Sequence, residues 1–256
     1  MAQRLDVPGT YNFREVAVPV DGGRLRAGRL YRSDALGRLT REGRSRLREL
    51  GVRRVIDMRS TFDRRLGGPD RLWGVGAELV SVPIDAAGAA REPSQLTLRN
   101  IYRVVLGEHG EQVGTAIRAV ATSPGPVVVH CTAGKDRTGL VVALLLLALG
   151  AQYDDVAADY AVTAENLAGP WTDRMVRRTR RFRVPITDGF LEVLARSPEP
   201  VLRDTLDWVD SAYGGVPAYL SSVGVDSGVV ALLRASLVDG SDGEVGLPDG
   251  SADRLG

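Results

Sequence analysis

Residues 126–150 read PVVVHCTAGKDRTGLVVALLLLALG, and this stretch decides the fold class. Its first part, 126–129, is apolar and β-branched and predicts a buried strand that ends at His130. Its last part, 139–149, is apolar throughout and predicts a buried helix that begins near Thr138. A strand, a short loop and a helix therefore follow one another directly, which is typical of the α/β class.

The alternation of strands and helices continues on both sides of this stretch. Strands are predicted over 16–20, 52–58 and 78–84, and helices from a cap at Thr40 to Gly51 and over 95–106, 111–121 and 226–238. The pattern predicts one α/β domain over 1–238, with a central, mostly parallel sheet flanked by helices. Residues 151–220 are expected to form a helical insertion or lid, and residues 239–256 a disordered tail rich in Gly, Ser and Asp.

Composition excludes several classes of protein. With one cysteine and two histidines, the 256-residue chain cannot build an intrachain disulfide framework, a zinc finger or a zinc ribbon. A formal net charge of +1 gives no global field for nucleic acid. The longest apolar run, 140–149, is too short for a bilayer, and no signal peptide is visible. We expect a cytoplasmic protein without stable membrane insertion; export by an unrecognised route and the oligomeric state stay open.

The loop at 131–137, here called the anion loop, carries the chemistry. Small residues let successive backbone N–H groups turn inward beside a helix N-terminus, and such a nest binds anions. Arg137 adds a planar, bidentate partner for phosphate oxygens. The pKa of the Cys131 thiol is expected to be depressed there. A thiolate, an oxyanion cradle and an arginine together indicate nucleophilic attack on a phosphate ester. The residues predicted to bind phosphate are Thr132, Ala133, Gly134, Lys135, Arg137 and Thr138.

The segment HCTAGKDRT at 130–138 resembles the His-Cys-x5-Arg-Thr signature of the cysteine-dependent protein tyrosine phosphatase superfamily. More narrowly, it resembles a bacterial tyrosine phosphatase family whose loop reads HCxxGKDRTG. The resemblance covers residues 9–238, with mild departures at Glu15 and Met58, where that family more often has Asp and Leu. Other similar segments are NFRE at 12–15, LYRS at 30–33, IDMRS at 56–60, DYAVTAENL at 159–167 and AYGGVPAYLSSVGV at 212–225.

The resemblance implies the cysteine-phosphatase fold and hydrolysis of phosphate monoesters through a phosphocysteine, without metal or cofactor. It assigns the nucleophile to Cys131, the phosphate clamp to Arg137 and the general acid to Asp136. Phosphotyrosine proteins or peptides are the expected first substrates, with phosphoserine, phosphothreonine and phosphoinositides as further candidates. The alternative is a phosphoprotein- or lipid-binding module with the same anion pocket and no turnover, although a binder would not need the thiol.

Two carboxylates compete for the role of general acid. Asp136 lies beside the expected phosphate, whose charge favours the protonated form of a carboxylate. Asp85 follows the strand predicted at 78–84 and would act from an upstream loop, as in most tyrosine phosphatases. The sequence favours Asp136 and leaves Asp85 open.

Further side chains are expected around the pocket. Lys135, the single lysine among 33 basic residues, is expected to bind a second phosphate or only to lower the pKa of the nucleophilic thiol. Thr138 is expected to hydrogen-bond the thiolate, and His130 to orient the loop from behind. Asp57 and Arg59 follow the strand predicted at 52–58 and either line the pocket or form a structural ion pair.

Competing motifs do not fit the anion loop. A nucleotide P-loop needs glycine at position 129 and Ser or Thr at position 136, where this chain has Val129 and Asp136. A redox pair needs a second cysteine, which the chain lacks. The Arg-Thr ending of the loop favours a phosphatase over a rhodanese-like protein.

Arginines concentrate between positions 174 and 183. The favoured interpretation of this cluster is a solvated helix face. Attraction of acidic substrates or lipid head groups is the alternative.

Overall fold

The computed structural model describes residues 4–86, 97–181 and 188–240. Within them the strands are β1 (Arg14–Glu15), β2 (Pro19–Val20), β3 (Gly23–Leu25), β4 (Leu30–Ser33), β5 (Arg54–Asp57), β6 (Glu78–Ser81), β7 (Val127–His130) and β8 (Val238–Gly240). The helices are α1 (Arg41–Glu49), α2 (Thr61–Gly67), α3 (Leu98–Gly107), α4 (Gly110–Ala121), α5 (Asp136–Ala148), α6 (Tyr153–Leu167), α7 (Pro170–Arg181), α8 (Asp188–Ala195), α9 (Glu199–Tyr213), α10 (Val216–Ser222) and α11 (Ser227–Leu237). A short 3₁₀ helix covers Leu36–Arg38.

The central sheet has five strands in the order β1-β4-β7-β5-β6. The strands β4, β7, β5 and β6 run parallel, and β1 is an antiparallel edge strand. Helices α4 and α5 pack against this sheet. These features confirm the predicted α/β class with a mostly parallel sheet. A second, antiparallel sheet has the order β2-β3-β8.

Register brings the predicted site residues to one edge of the central sheet. In β7, His130 is paired with Ser33 of β4 on one side and with Asp57 of β5 on the other. Because these strands are parallel, their carboxyl ends meet at this edge, which is where α/β proteins form their sites. The anion loop therefore begins at the centre of the site edge.

Helix α5 is the central helix of the main core. Its residues from Thr138 to Leu146 are buried, and α3, α4, α6 and α10 pack around it. Burial of each large apolar side chain there contributes about 1.5–3 kcal/mol. The helix begins at Asp136, earlier than expected. The reason is that the backbone N–H of Gly139 donates to the carbonyl oxygen of Lys135 at 2.6 Å, which closes a turn before the apolar stretch begins.

The helices predicted after α5 are present. The described part of 151–220 contains α6 to α10. Earlier in the chain, Thr40 caps α1 as predicted, by accepting a hydrogen bond from the backbone N–H of Gly43 at 3.1 Å. Leu202 of α9 and Tyr219 of α10 belong to the main core. This part of the predicted insertion therefore packs on the sheet domain instead of standing apart from it.

The predicted tail begins later than expected. Asp239 and Gly240 were assigned to it, but they pair with Arg24 and Gly23 as strand β8. The edge of β3 offers unpaired backbone groups, and β8 satisfies them. The rest of the predicted tail, 241–256, lies outside the described residues. So do residues 95 and 96 of the helix predicted at 95–106, and residue 183, the last position of the arginine cluster.

Among the described residues, no single helix has both the length and the apolar content that a membrane crossing needs. Helices α10 and α11 reach those values only when they are counted together, and the chain bends by 106° between them.

Candidate active site

The anion loop turns sharply between β7 and α5. Gly134 has a φ of +67°, a region that favours glycine, and a Cβ at this position would lie 2.3 Å from the carbonyl oxygen of Ser33. The amide of Asn12 donates to the carbonyl oxygens of Ala133 at 3.0 Å and Gly134 at 3.3 Å. The guanidinium of Arg32 donates to the same Gly134 oxygen at 2.9 Å. Because these bonds engage the loop carbonyls, they favour the nest conformation, in which backbone N–H groups face an anion.

A buried group of charged side chains supports the residues that bind the loop carbonyls. Asp159 of α6 pairs with Arg32 and lies 3.5 Å from Nε of Arg14, whose Nη1 donates to Oδ1 of Asn12 at 2.5 Å. Burial and the neighbouring Arg32 lower the pKa of Arg14 to about 9, against the opposing charge of Asp159. Sequence reasoning did not assign these residues a role. They come from the segments at 12–15, 30–33 and 159–167 that resemble the phosphatase family.

Cys131 lies at the base of the loop with 2% of its surface exposed. Burial alone would raise the pKa of its thiol, but the charge of Arg137, followed by the neighbouring Thr138, outweighs burial and lowers it. The sequence predicted this shift, while the hydrogen bond from the Thr138 hydroxyl to the thiolate stays a prediction. The thiolate is the reactive form of cysteine, so this environment produces a nucleophile.

Arg137 is anchored through one of its nitrogens. Its Nη1 donates to Oδ2 of Asp63 at 2.6 Å and to the carbonyl oxygens of Ile84 at 3.0 Å and Met58 at 3.3 Å. Its Nη2 faces the loop and donates to Oγ1 of Thr132 at 3.3 Å. One edge of the guanidinium is therefore fixed by the protein, while the other edge is directed toward the position expected for a phosphate.

Asp63 is a site residue that sequence reasoning missed. Burial would raise the pKa of its carboxyl, but the charge and hydrogen bond of Arg137 lower it, with a further contribution from Ser60. Ser60 and Asp63 form a capping box at the start of α2, in which each side chain accepts from the other's backbone N–H. The spacing Ser-x-x-Asp is a recognisable signal for such a helix start. It would have located the helix but not the contact with Arg137.

Asp136 begins α5 beside the nucleophile. Its Oδ1 accepts a hydrogen bond of 2.9 Å from the hydroxyl of Tyr102, which in turn contacts the hydroxyl of Tyr160. The side chain is 21% exposed, so a substrate can reach it. Burial, followed by the charge of Asp136, raises the pKa of Tyr102 well above its ordinary value, so the phenol stays a hydrogen-bond donor. Neither tyrosine was predicted to belong to the site.

Asp85, the rival acid, is exposed directly after the segment that anchors Arg137. The preceding residue, Ile84, supplies one of the carbonyl oxygens that bind the Arg137 guanidinium. Asp85 thus lies at the border of the site, and residues 87–96 beyond it lie outside the described residues. Asp136 and Asp85 both stay candidates for the acid.

The structure contradicts the prediction that Lys135 binds a second phosphate. Its side chain is fully buried, and Nζ donates to the carbonyl oxygens of Val193 at 2.6 Å and Arg196 at 2.8 Å. Nζ also lies 3.3 Å from Oδ1 of Asp136. An ammonium group has three donors, and these three acceptors occupy them. Lys135 therefore fastens the loop to the end of α8, and its effect on the thiol pKa stays a prediction.

A buried charge network lies behind Cys131. Nδ1 of His130 lies 3.3 Å from the carbonyl oxygen of Cys131, and Nε2 lies 2.9 Å from Oδ2 of Asp70. Arg59 donates from Nη2 to Asp57 at 3.0 Å and to Asp70 at 2.8 Å. Burial would lower the pKa of His130, but Asp70 and Asp57 raise it. This network supports the loop from behind, as expected for His130.

Asp57 and Arg59 form the structural ion pair, which was one of the two alternatives for them. Arg59 also reaches the wall of a small cavity beside the loop, whereas Asp57 is buried. Donor atoms of Asp57, Asp70 and His130 lie within 4.8 Å of one another, a grouping that resembles a metal site. However, the Arg59 guanidinium already binds both carboxylates and compensates their charge. Asp70 lies in no local pattern that could have revealed it.

The arginine cluster only partly forms the solvated face that was favoured for it. Arg177 and Arg180 are exposed, but Arg174, Arg177 and Arg178 of α7 line a cavity that also reaches Thr132 of the anion loop. The physical reason is that α7 lies against the loop, since Trp171 packs in one buried cluster with Ala133 and Leu167. The cluster thus borders the site.

Comparison with known proteins identifies a family for this chain. A sequence model described as the tyrosine phosphatase family matches residues 5–239. The triple specificity protein phosphatase PtpB of Mycobacterium tuberculosis is 31% identical, over 91% of this chain and 98% of PtpB. A tyrosine-protein phosphatase of Nostoc commune is 30% identical, over 88% of this chain and 76% of the relative. Among solved structures, P. aeruginosa TpbA has a TM-score of 0.41 at 22% identity, over 76% of this chain and 96% of TpbA.

The family match includes the anion loop with its buried thiol and anchored arginine, and the relatives align over most of their own length. The chain therefore belongs to the tyrosine phosphatase family and is a protein tyrosine phosphatase.

Proposed function

We propose that this phosphatase hydrolyses phosphotyrosine in two steps through a phosphocysteine at Cys131. The single observation that carries this proposal is the buried Cys131 thiol, whose pKa is lowered by Arg137 and Thr138 at the N-terminal end of α5. A binding module needs the anion cradle but gains nothing from a stabilised thiolate. A nucleophile needs both.

In the first step, Sγ of Cys131 attacks phosphorus and the ester P–O bond breaks. Asp136 gives its proton to the departing phenolic oxygen, so tyrosine leaves as a neutral phenol. The loop N–H groups and Arg137 hold the remaining phosphoryl oxygens as charge builds on them. The anchor at Asp63, Ile84 and Met58 keeps the guanidinium in place during this step.

In the second step, water attacks the phosphorus of the phosphocysteine. The Asp136 carboxylate takes a proton from that water, the P–S bond breaks, and the Cys131 thiolate leaves with inorganic phosphate as the product. Tyr102 keeps Asp136 at the mouth of the site through its hydrogen bond at 2.9 Å. The protonated and ionised forms of Asp136 thus serve the two steps in turn.

The activity is proposed to extend to phosphoserine and phosphothreonine. The relative PtpB is named a triple specificity protein phosphatase, and it aligns over nearly its full length. Phosphoinositides were a candidate from the family resemblance and because Lys135 was expected to bind a second phosphate. Since its ammonium is occupied by three protein acceptors, that reason no longer supports them.

A phosphate-release screen tests the proposal. Wild-type protein and Cys131→Ser are given phosphotyrosine, phosphoserine and phosphothreonine peptides and phosphoinositide vesicles, and EDTA is added to each reaction after an initial rate has been recorded. We expect wild type to release phosphate from phosphotyrosine peptides, with the same rate before and after addition of the chelator. Cys131→Ser should bind these peptides without releasing phosphate. Strong inhibition by EDTA, or appreciable turnover by Cys131→Ser, would contradict the mechanism.

A further inference from the structure

Four arginines line a cavity of about 390 Å³ next to the anion loop. Arg174, Arg177 and Arg178 project from α7, where spacings of three and four residues place side chains on one face of a helix. Arg38, in the short 3₁₀ helix, lines the same cavity, and Thr132 connects it to the anion loop. The cavity is therefore strongly basic and opens beside the position proposed for the phosphate.

The protein compensates only part of the positive charge of this cavity. Within the described residues, none of the four arginines forms an ion pair. Nη1 of Arg174 is buried and has no hydrogen-bond partner there, and its guanidinium lies 5.3 Å from the ring centre of Tyr11. Burial and then the nearby charge of Arg38 lower the pKa of Arg174, and the opposing effects of Tyr11 and the Asp34 carboxyl do not outweigh them. A buried N–H donor without an acceptor is costly, so this arrangement favours an anion.

The rest of the cavity wall indicates what carries the anion. Leu66 and Met175 line it together with Ala35 and Gly37, so apolar surface alternates with the guanidinium groups. A smaller cavity of about 150 Å³ shares Leu66, Met175 and Thr132 and extends toward the Arg137 anchor. Apolar walls suit the methylene groups of an amino-acid side chain better than a hydroxyl-covered inositol ring.

We propose that this cavity is a second anion-binding subsite, which receives an acidic side chain flanking the phosphotyrosine of a peptide substrate. The inference rests on the proposed phosphotyrosine hydrolysis and adds a substrate class to it: phosphopeptides with a nearby Glu, Asp or second phosphorylated residue. Arg174 and Arg178, whose side chains are half-buried, form the centre of the subsite.

Matched phosphotyrosine peptides test the subsite. Each peptide carries a single Glu at one position within three residues of the phosphotyrosine, and its partner carries Gln at the same position. The kcat/KM ratio of each Glu/Gln pair is measured for wild type, Arg174→Gln, Arg178→Gln and Arg180→Gln. Arg180 lies on the same helix, is exposed and lines neither cavity, so its variant controls for the loss of one positive charge.

We expect wild type to prefer Glu at one or more positions by about fivefold to twentyfold. Arg174→Gln and Arg178→Gln should each lose most of that preference, whereas Arg180→Gln should retain it. A Glu/Gln ratio near one at every position would overturn the subsite, and so would an equal loss in Arg180→Gln, which would indicate only a long-range field. The Arg174 and Arg178 variants are also assayed on phosphoinositide vesicles. If they lose turnover on the vesicles while the Glu/Gln ratios of the peptides stay unchanged, the subsite does not bind an acidic side chain of a peptide.

These results separate the subsite from the function on which it rests. If wild type releases no phosphate from any phosphotyrosine peptide, the proposed function is wrong. If it hydrolyses all the peptides without regard to Glu, only the subsite is wrong. Because Arg174 and Arg178 are substituted separately, misfolding of one variant does not decide the result.

Discussion

Asp63 holds the Arg137 guanidinium from outside the anion loop, with its Oδ2 accepting a hydrogen bond of 2.6 Å from Nη1. The carbonyl oxygens of Met58 and Ile84 accept from the same nitrogen, so the two N–H bonds of Nη1 are shared among three protein acceptors. The guanidinium can therefore present its other edge to a phosphate without losing its position. Such preorganisation is what a site needs to stabilise charge that develops only during reaction.

Removing the charge of Asp63 should weaken the clamp while leaving the arginine in the chain. For Asp63→Asn we expect kcat/KM on phosphotyrosine peptides to fall by about tenfold to a hundredfold, since misplacement of a catalytic group is costly. Steady-state kinetics measures this, with Glu49→Gln as a control that removes an exposed ion-pair acceptor on α1. A kcat/KM of Asp63→Asn equal to that of wild type would show that the anchor has no role in catalysis.

The general acid can be identified from how the loss of rate in its variant depends on the leaving group of the substrate. We expect Asp136→Asn to lower kcat/KM for phosphotyrosine by about a hundredfold or more, and to lower it far less for nitrophenyl phosphate, whose leaving group needs less protonation. Asp85→Asn should lower kcat/KM for both substrates by a similar, small factor. Pre-steady-state release of the two phenols measures the effect on the first step. If Asp85→Asn shows the leaving-group pattern and Asp136→Asn does not, the two roles are reversed.

Lys135 should prove to be a structural and electrostatic residue. In Lys135→Ala the partly buried carbonyl oxygens of Val193 and Arg196 lose their donor, so we expect the free energy of unfolding to fall by about 2–3 kcal/mol, measured by urea denaturation. Loss of this cation should also raise the Cys131 thiol pKa, which the pH dependence of alkylation reports. The rate ratio between phosphoinositide vesicles and phosphopeptides should stay as in wild type. A selective loss on phosphoinositides would restore the idea of a second phosphate at Lys135.

The pair of His130 and Asp70 should make stability depend on pH. Burial disfavours both charges, but each partner's charge outweighs it: the pKa of His130 is raised above 6.5, and that of Asp70 is lowered below 3.8. The charged His130 stabilises the fold fully at a pH below the pKa that it has in the unfolded chain. This stabilisation is lost as the pH rises through the higher pKa that His130 has in the folded protein. The charged Asp70 stabilises the fold fully at a pH above the pKa that it has in the unfolded chain. This stabilisation is lost as the pH falls through the lower pKa that Asp70 has in the folded protein.

For Asp70→Asn we therefore expect the free energy of unfolding to fall by about 3 kcal/mol in the interval between the two ordinary pKa values. The difference from wild type should shrink as pH rises above the His130 pKa. Urea unfolding of both proteins over a pH series measures it, with Asp226→Asn as a control at an exposed helix cap. A difference that stays constant through the neutral and alkaline range would contradict the charged pair.

Local sequence patterns were sufficient for the elements and for the centre of the site. The β-branched run before His130 and the apolar stretch after Thr138 correctly predicted β7 and α5, because burial on all sides leaves a continuous apolar sequence. The spacing between Cys131 and Arg137 places both on one loop, so their proximity follows from local geometry. Their environment, including the lowered thiol pKa, could be predicted for the same reason.

What could not be predicted depends on contacts between distant parts of the chain. Asp63 reaches Arg137 because α2 follows β5 beside the loop, and Asp70 reaches His130 from the segment after α2. No periodicity encodes such contacts. Lys135 shows the same limit, since its sequence position suggested the phosphate while its side chain is bound by carbonyl oxygens near the end of α8.

The most direct test of the central claim is to trap the covalent intermediate. Wild-type enzyme is mixed with a phosphotyrosine peptide and quenched in alkali during the first turnover, because phosphocysteine and phosphohistidine both survive these conditions. The fragment containing His130 and Cys131 is then sequenced by mass spectrometry. We expect one phosphoryl group on Sγ of Cys131, in an amount that matches the initial burst of released tyrosine peptide, and none in Cys131→Ser. A phosphoryl group on His130, or steady turnover without any covalent adduct, would contradict it.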